Sequence, residues 1–169
     1  MRSSIFRSAF AAAALAFGVA GANADTATGT LSVTANVVTS CNLSAGSSPV
    51  AFGPVISGYS QAVNANGSIT VNCGGAVNYT VGLDNGGNYN AGTSMRQMAL
   101  GSNFVPYQLY RSDADRTAGS PTWGSTVNTL AGTGTGGAQT ITVYGQIPAN
   151  QTLTLGNGYT DTVKITVSY

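Results

Sequence analysis

Ala27-Thr28-Gly29-Thr30-Leu31-Ser32-Val33-Thr34-Ala35-Asn36-Val37 alternates without a break. The odd positions Ala27, Gly29, Leu31, Val33, Ala35 and Val37 make one apolar face, and Thr, Ser and Asn make the other. Successive side chains of an extended chain point to opposite sides, so this period of two predicts a strand with one face to bury. At about 3.3 Å per residue it would reach about 35 Å, roughly twice an ordinary strand.

Downstream, the same period recurs in shorter runs. Ile69, Val71 and Cys73 share one side of the run 68–73, and Val77, Tyr79, Val81 and Leu83 share one side of 77–83. Asp84-Asn85-Gly86-Gly87 then gives a turn signal. The run 105–110 carries Pro106, which predicts an edge strand or a start after the proline. Ile141, Val143, Gly145 and Ile147 mark another strand, and Val163, Ile165, Val167 and Tyr169 mark the last. The glycine-rich stretch 131–138 reads as a flexible loop. No run has a helical period. Short strands punctuated by Gly, Asn and Pro predict an all-β antiparallel sandwich.

Upstream, Arg2 and Arg7 precede an uncharged, Ala-rich run over 9–21, and Ala22-Asn23-Ala24 places small residues at −3 and −1 before Asp25. This is the layout of a secretory signal peptide, 1–24. The apolar run falls short of the roughly 20 residues of a spanning helix, so no membrane insertion is expected after cleavage. The mature chain is long enough for one domain with a core. Removing Arg2 and Arg7 leaves four basic and five acidic side chains, with no histidine. Such a balance offers nothing to nucleic acid or to anionic lipid. Cys41 and Cys73 are the only cysteines, and in an exported chain they predict a disulfide.

Several stretches imitate chemistry. Gly132-Thr133-Gly134-Thr135-Gly136-Gly137 fits G-x-G-x-x-G, but strand-like Gln139-Thr140-Ile141-Thr142-Val143 follows where a nucleotide site needs a helix. Asp113-Ala114-Asp115 opens like a calcium loop, yet Ala118 and Gly124 stand where the EF-hand needs Gly and Glu. Asp84 with Asn85 and Asn88 reads as turn chemistry. Without histidine there is no Ser-His-Asp triad, and no cofactor or metal is expected. Tyr79, Tyr107, Tyr110 and Trp123 could line a sugar platform; for Tyr79 and Trp123 the core is the better reading. The sequence predicts no enzyme.

A set of ordered motifs spans most of the chain: the alternating start running to Cys41, Asn72-Cys73, Leu83-Asp84-Asn85-Gly86-Gly87-Asn88, Arg96-Gln97-Met98 and Tyr107-Gln108-Leu109-Tyr110. Trp123-Gly124, Val143-Tyr144-Gly145-Gln146-Ile147-Pro148 and Gly158-Tyr159-Thr160-Asp161-Thr162-Val163 complete it. Together they resemble the spore coat protein U family, whose domain is that of the archaic chaperone–usher pilins. The resemblance implies an incomplete immunoglobulin-like sandwich over 38–169 that lacks its final strand and is completed by donor-strand exchange. It implies that 25–37 is an N-terminal extension donating Ala27, Gly29, Leu31, Val33, Ala35 and Val37 to the next subunit. Val163, Ile165, Val167 and Tyr169 would border the acceptor groove, with Tyr169 in chaperone contact. Cys41 and Cys73 would tie the first two strands. The implied partners are identical or related pilin subunits, a periplasmic chaperone and an outer-membrane usher. The implied setting is a surface fimbrium serving adhesion or biofilm formation. The competing expectation is a secreted binding module or coat protein whose own first strand completes its sandwich.

Overall fold

The computed structural model describes residues 28–44 and 47–169. The signal-peptide reading and Ala27 lie outside the described residues. The chain divides into two compact units, Met1–Asn36 and Val37–Tyr169. In the first, the described residues 28–36 form neither strand nor helix.

The second unit is an antiparallel sandwich. Its strands are β1 (Cys41–Leu43), β2 (Val63–Cys73), β3 (Asn78–Leu83), β4 (Arg96–Leu100), β5 (Asn103–Tyr110), β6 (Leu130–Thr133), β7 (Ala138–Ile147) and β8 (Ile165–Ser168). One sheet has five strands in the order β1-β2-β7-β5-β4, and the other has three in the order β6-β3-β8. The alternation that predicted the strands also faces them. Ile69, Val71 and Cys73 of β2, Tyr79, Val81 and Leu83 of β3, and Val105, Tyr107 and Leu109 of β5 meet Val143 and Ile147 of β7 in one buried cluster. Trp123 is fully buried among them. Its Nε1 donates to the Val81 carbonyl at 2.9 Å, and its backbone N–H donates to the Leu109 carbonyl at 2.8 Å, so one residue ties the two sheets together. Tyr79, Tyr107, Tyr110 and Trp123 are all at most 5% exposed, which makes them core and not a sugar platform.

Turn chemistry sets the connections. Asp84 Oδ1 accepts from the Gly86 N–H at 2.9 Å, the side-chain-closed turn expected there. A two-residue turn joins β4 to β5, with Gly101 at φ +60° taking the left-handed position. The disulfide Cys41–Cys73 joins directly opposed residues of β1 and β2.

Three local expectations are corrected. Residues 130–133 form strand β6, paired with β3, and the glycines after it are pinned: Gly134 N–H donates to the Val77 carbonyl at 2.7 Å and Gly136 N–H to that of Cys73 at 3.2 Å. The strand with Pro106 is interior, between β7 and β4, but its pairing with β7 begins only at Gln108, past the proline. A short helix, α1 (Asp113–Ala118), follows β5, with Ser112 as N-cap accepting from the Asp115 N–H.

Candidate functional site

The apolar residues Val163, Ile165 and Val167 pack against the core yet remain only half-buried, and so do Cys41, Val50, Phe52 and Val55. These two groups are the walls of a seam.

One wall is the last strand. Among the described residues β8 pairs with β3 alone, in the register Leu83↔Ile165 to Thr80↔Ser168. Its other edge leaves backbone donors and acceptors unpaired, the condition that lets a strand edge recruit a further strand. The opposite wall continues from β1. Ser48 pairs with Ser68, each N–H donating to the other's carbonyl at 3.0 Å, and after it the chain leaves the ladder. Val50 and Phe52 then lie over two glycines on the inner face of the large sheet. A Cβ on Gly145 would sit 2.5 Å from Val50 Cγ1 and 3.0 Å from Phe52 Cζ, and one on Gly67 would sit 2.8 Å from Val50. The glycines are what allow this wall to seat.

The walls join at the foot. Gly58 N–H donates to the Gln151 carbonyl at 2.8 Å, Asn150 N–H to that of Tyr59 at 2.7 Å, and Leu153 N–H to Ser57 Oγ at 2.8 Å. Between the walls lie two neighbouring cavities. One, of about 700 Å³, is lined by Phe52, Val55, Met98, Val105, Leu153 and Tyr159 among others. The other, of about 460 Å³, is lined by Ile69, Leu83, Tyr107, Val143, Val163 and Ile165 among others. They share Val50, Phe52, Met98 and Tyr159, so they adjoin, and together they are called the groove below.

The last segment changes sheets along this groove. Thr160 pairs with Ala99 of β4, in the large sheet, while Ile165–Ser168 pairs with β3 in the small one. Two carboxylates hold the crossover. Asp84 Oδ1 accepts from the Lys164 N–H at 2.8 Å, and Asp84 N–H donates to the Lys164 carbonyl at 3.0 Å. Asp161 Oδ1 accepts from the N–H groups of Thr162 at 2.9 Å and Gly87 at 2.8 Å. Its Oδ2 accepts from Tyr107 Oη at 2.7 Å. Burial, and after it the hydrogen bond to Asp161, pushes the Tyr107 phenol well above the ordinary tyrosine range. Behind them Arg96, 2% exposed, donates to the carbonyls of Asp84, Leu83 and Trp123 and to Gln108 Oε1. Burial lowers its pKa.

Val163 and Ile165 line the groove, while Val167 packs against the core and lines neither cavity. Tyr169 lies apart: it is 61% exposed and borders a shallow depression with Asn78, Thr80 and Ala131. Of the residues expected to be donated, Leu31, Val33 and Val37 are 88%, 84% and 98% exposed. Sequence reasoning missed the wall at Val50 and Phe52, the Asp84–Asp161 brace and the Arg96 hub. The one available signal was a lone Arg among uncharged strand residues. Asp113 and Asp115 face Arg116 and Arg111 in ion pairs on α1. Among the described residues no three His, Cys, Asp or Glu side chains gather as metal ligands.

A strand-sized groove beside an unpaired edge invites comparison with proteins of known structure. The Spore Coat Protein U domain family matches residues 27–166. The chain belongs to the spore coat protein U family. Its spore coat U domain also resembles solved structures. One is the CsuC–CsuE chaperone–tip adhesion subunit pre-assembly complex from archaic chaperone–usher Csu pili of Acinetobacter baumannii. The identity is 23% and the TM-score 0.55, over 79% of this chain and 40% of that one. The likeness is one of fold. No curated protein matches the spore coat U chain.

Proposed function

We propose that this chain is a structural subunit of a cell-surface fibre, assembled by a chaperone–usher pathway through donor-strand exchange. The observation that carries the reading is the unpaired edge of β8 beside an apolar groove, in a chain whose residues 28–37 expose an alternating apolar face. An added strand gains main-chain hydrogen bonds from such an edge and places alternate side chains in the groove. Burying Leu31, Val33 and Val37 would contribute about 1.5–3 kcal/mol each. Family membership and the fold shared with a chaperone–pilus subunit complex support the same reading.

The signal peptide 1–24 directs export to the periplasm. There a chaperone covers the groove until an outer-membrane usher replaces it with residues 25–37 of the next copy or of a related subunit. Donation of this kind is head-to-tail and does not close on itself, so it yields an open filament. The role is structural and not catalytic, and the filament serves adhesion or biofilm formation.

The test is a denaturing gel of the mature protein with and without boiling, alongside electron microscopy. A ladder that collapses on heating, together with thin filaments, is the expected result. A stable lone monomer needing no chaperone would replace this reading with a self-completed binding module.

A further inference from the structure

The last segment of the sandwich has an unusual task. Its N-terminal part pairs with β4 in one sheet and its C-terminal part with β3 in the other, and among the described residues no strand is hydrogen-bonded along its open side. Elsewhere in the sandwich the spacing between sheets is fixed by side chains packed from both faces. Here the packing is one-sided, because the half-buried Val163 and Ile165 look into the groove. Something other than packing must fix the direction of the crossover 161–164.

Asp161 occupies that point. Its carboxylate receives four backbone or side-chain donors from three different places: Thr162 on the crossover, Gly87 and, at 3.4 Å, the side-chain amide of Asn88 in the turn after β3, and Tyr107 on β5 of the opposite sheet. Gly86 stands at φ +76° directly against it, where a Cβ would collide with the carboxylate. Asp84 fixes the next step of the crossover through both the N–H and the carbonyl of Lys164. Both Asp161 and Tyr107 line the groove itself.

We infer that Asp161, bridging Tyr107 to the crossover, is a positioning residue for strand acceptance: it holds the receiving edge at its working angle and spacing before the donor arrives. The inference rests on the donor-strand reading of the groove. Once a strand fills the groove, its hydrogen bonds along β8 and its apolar side chains perform the same task. Loss of the brace therefore acts on the rate of strand uptake more than on the stability of the filled subunit. Asn at this position can still accept from Thr162 and Gly87, with its amide nitrogen turned to the Tyr107 oxygen, so shape and not charge is what the site requires.

The experiment uses the mature chain carrying L31D and V33D, which cannot donate, recovered from the periplasm in whatever complex holds it there. The probe is a fluorescein-labelled peptide of residues 25–39, and uptake is followed by anisotropy. Asp161→Ala should take it up about tenfold more slowly, the equivalent of one well-made hydrogen bond. Asp161→Asn should stay within about twofold of the parent, and the filled Ala and parent complexes should melt together. Equal uptake rates for Ala and parent would overturn the inference. So would a slowed Ala variant whose filled complex loses stability in proportion, which marks a purely structural role. If the Ala variant cannot be recovered, Tyr107→Phe removes one hydrogen bond from the same brace; slower uptake supports the inference and unchanged uptake overturns it. A parent chain that takes up no peptide removes the donor-strand reading and this inference with it.

Discussion

Arg96 donates to the carbonyl oxygen of Trp123 at 2.7 Å, deep inside the sandwich, with no carboxylate among the described residues bonded to the guanidinium. Its other donors serve the carbonyls of Leu83 and Asp84 at the end of β3 and the amide oxygen of Gln108. The cation thus replaces the ladder bonds that β3 loses where its turn begins. Replacing it with methionine keeps much of the volume and leaves several buried carbonyls without donors. Arg96→Met should destabilise the subunit by at least about 3 kcal/mol, read from urea unfolding. Lysine should rescue little, because a single ammonium cannot span the same fork of acceptors.

The donor reading makes a separable demand. Leu31→Asp with Val33→Asp should abolish the heat-sensitive ladder and the filaments, while the sandwich stays folded and its disulfide forms. The two changes remove about 3–6 kcal/mol of apolar burial per junction and place charge in an apolar groove. Normal filaments from this variant would exclude residues 28–37 as the donor.

Cys41 and Cys73 close a loop that contains the whole wall at Val50 and Phe52. Cys41→Ser with Cys73→Ser should cost about 3–4 kcal/mol on the chain-entropy account. Cys73 is fully buried, so the serine hydroxyl adds a further penalty there. The check is the denaturant midpoint of the variant against the parent, with and without reductant.

Tyr107 and Tyr110 have their phenol pKa values raised, in both cases chiefly by burial. The folded state therefore holds these protons when the unfolded chain, near the ordinary tyrosine value of about 10, releases them. Stability from this source is complete below that value and falls as pH rises above it. Urea midpoints measured from pH 8 to 11 should stay level and then drop. Tyr107→Phe should flatten part of the drop.

Gly145 carries no side chain, and the wall of the groove rests on it. Gly145→Ala should push Val50 and Phe52 outward and cost about 1–3 kcal/mol as overpacking. The readout is a lower melting temperature of the assembled filament. An unchanged one would mean that the wall repacks without strain.

Much of this architecture is legible in the sequence, and the limits have physical causes. Strands β2, β3, β7 and β8 announce themselves through alternating apolar residues, and β5 does so through Val105, Tyr107 and Leu109 although it buries both faces over 107–110. β4, Arg96–Leu100, does not, since Arg, Gln, Met, Ala and Leu all favour helix; it is a strand because β5 pairs with it. β6 is hidden by Gly132, which a solitary strand would avoid, but here the Tyr79 ring lies where a Cβ would be. Val163 and Ile165, which line one side of the groove, were readable as one face of an alternating strand. The other was not, because Pro49, Gly53 and Pro54 give residues 49–55 the composition of a loop, and only tertiary contact with Gly67 and Gly145 makes Val50 and Phe52 a wall. Asp161 was visible as a motif residue, but its partners Gly87 and Tyr107 lie 74 and 54 positions away in the chain, beyond the reach of local pattern.

β1 is three residues long and among the described residues pairs only with β2, an interior strand that is itself bonded along ten positions to β7. In a filament built by the proposed strand donation, a lengthwise pull would reach each subunit through residues 38–40 and arrive first at this short strand. Hydrogen bonds alone would let β1 peel away one pair at a time. The Cys41–Cys73 bond lies at the first of those pairs, so the pull bypasses the peel and passes straight into β2, where yielding requires the long β2–β7 ladder to shear as a unit. Placed there, the disulfide turns the weakest seam on the load path into a rivet.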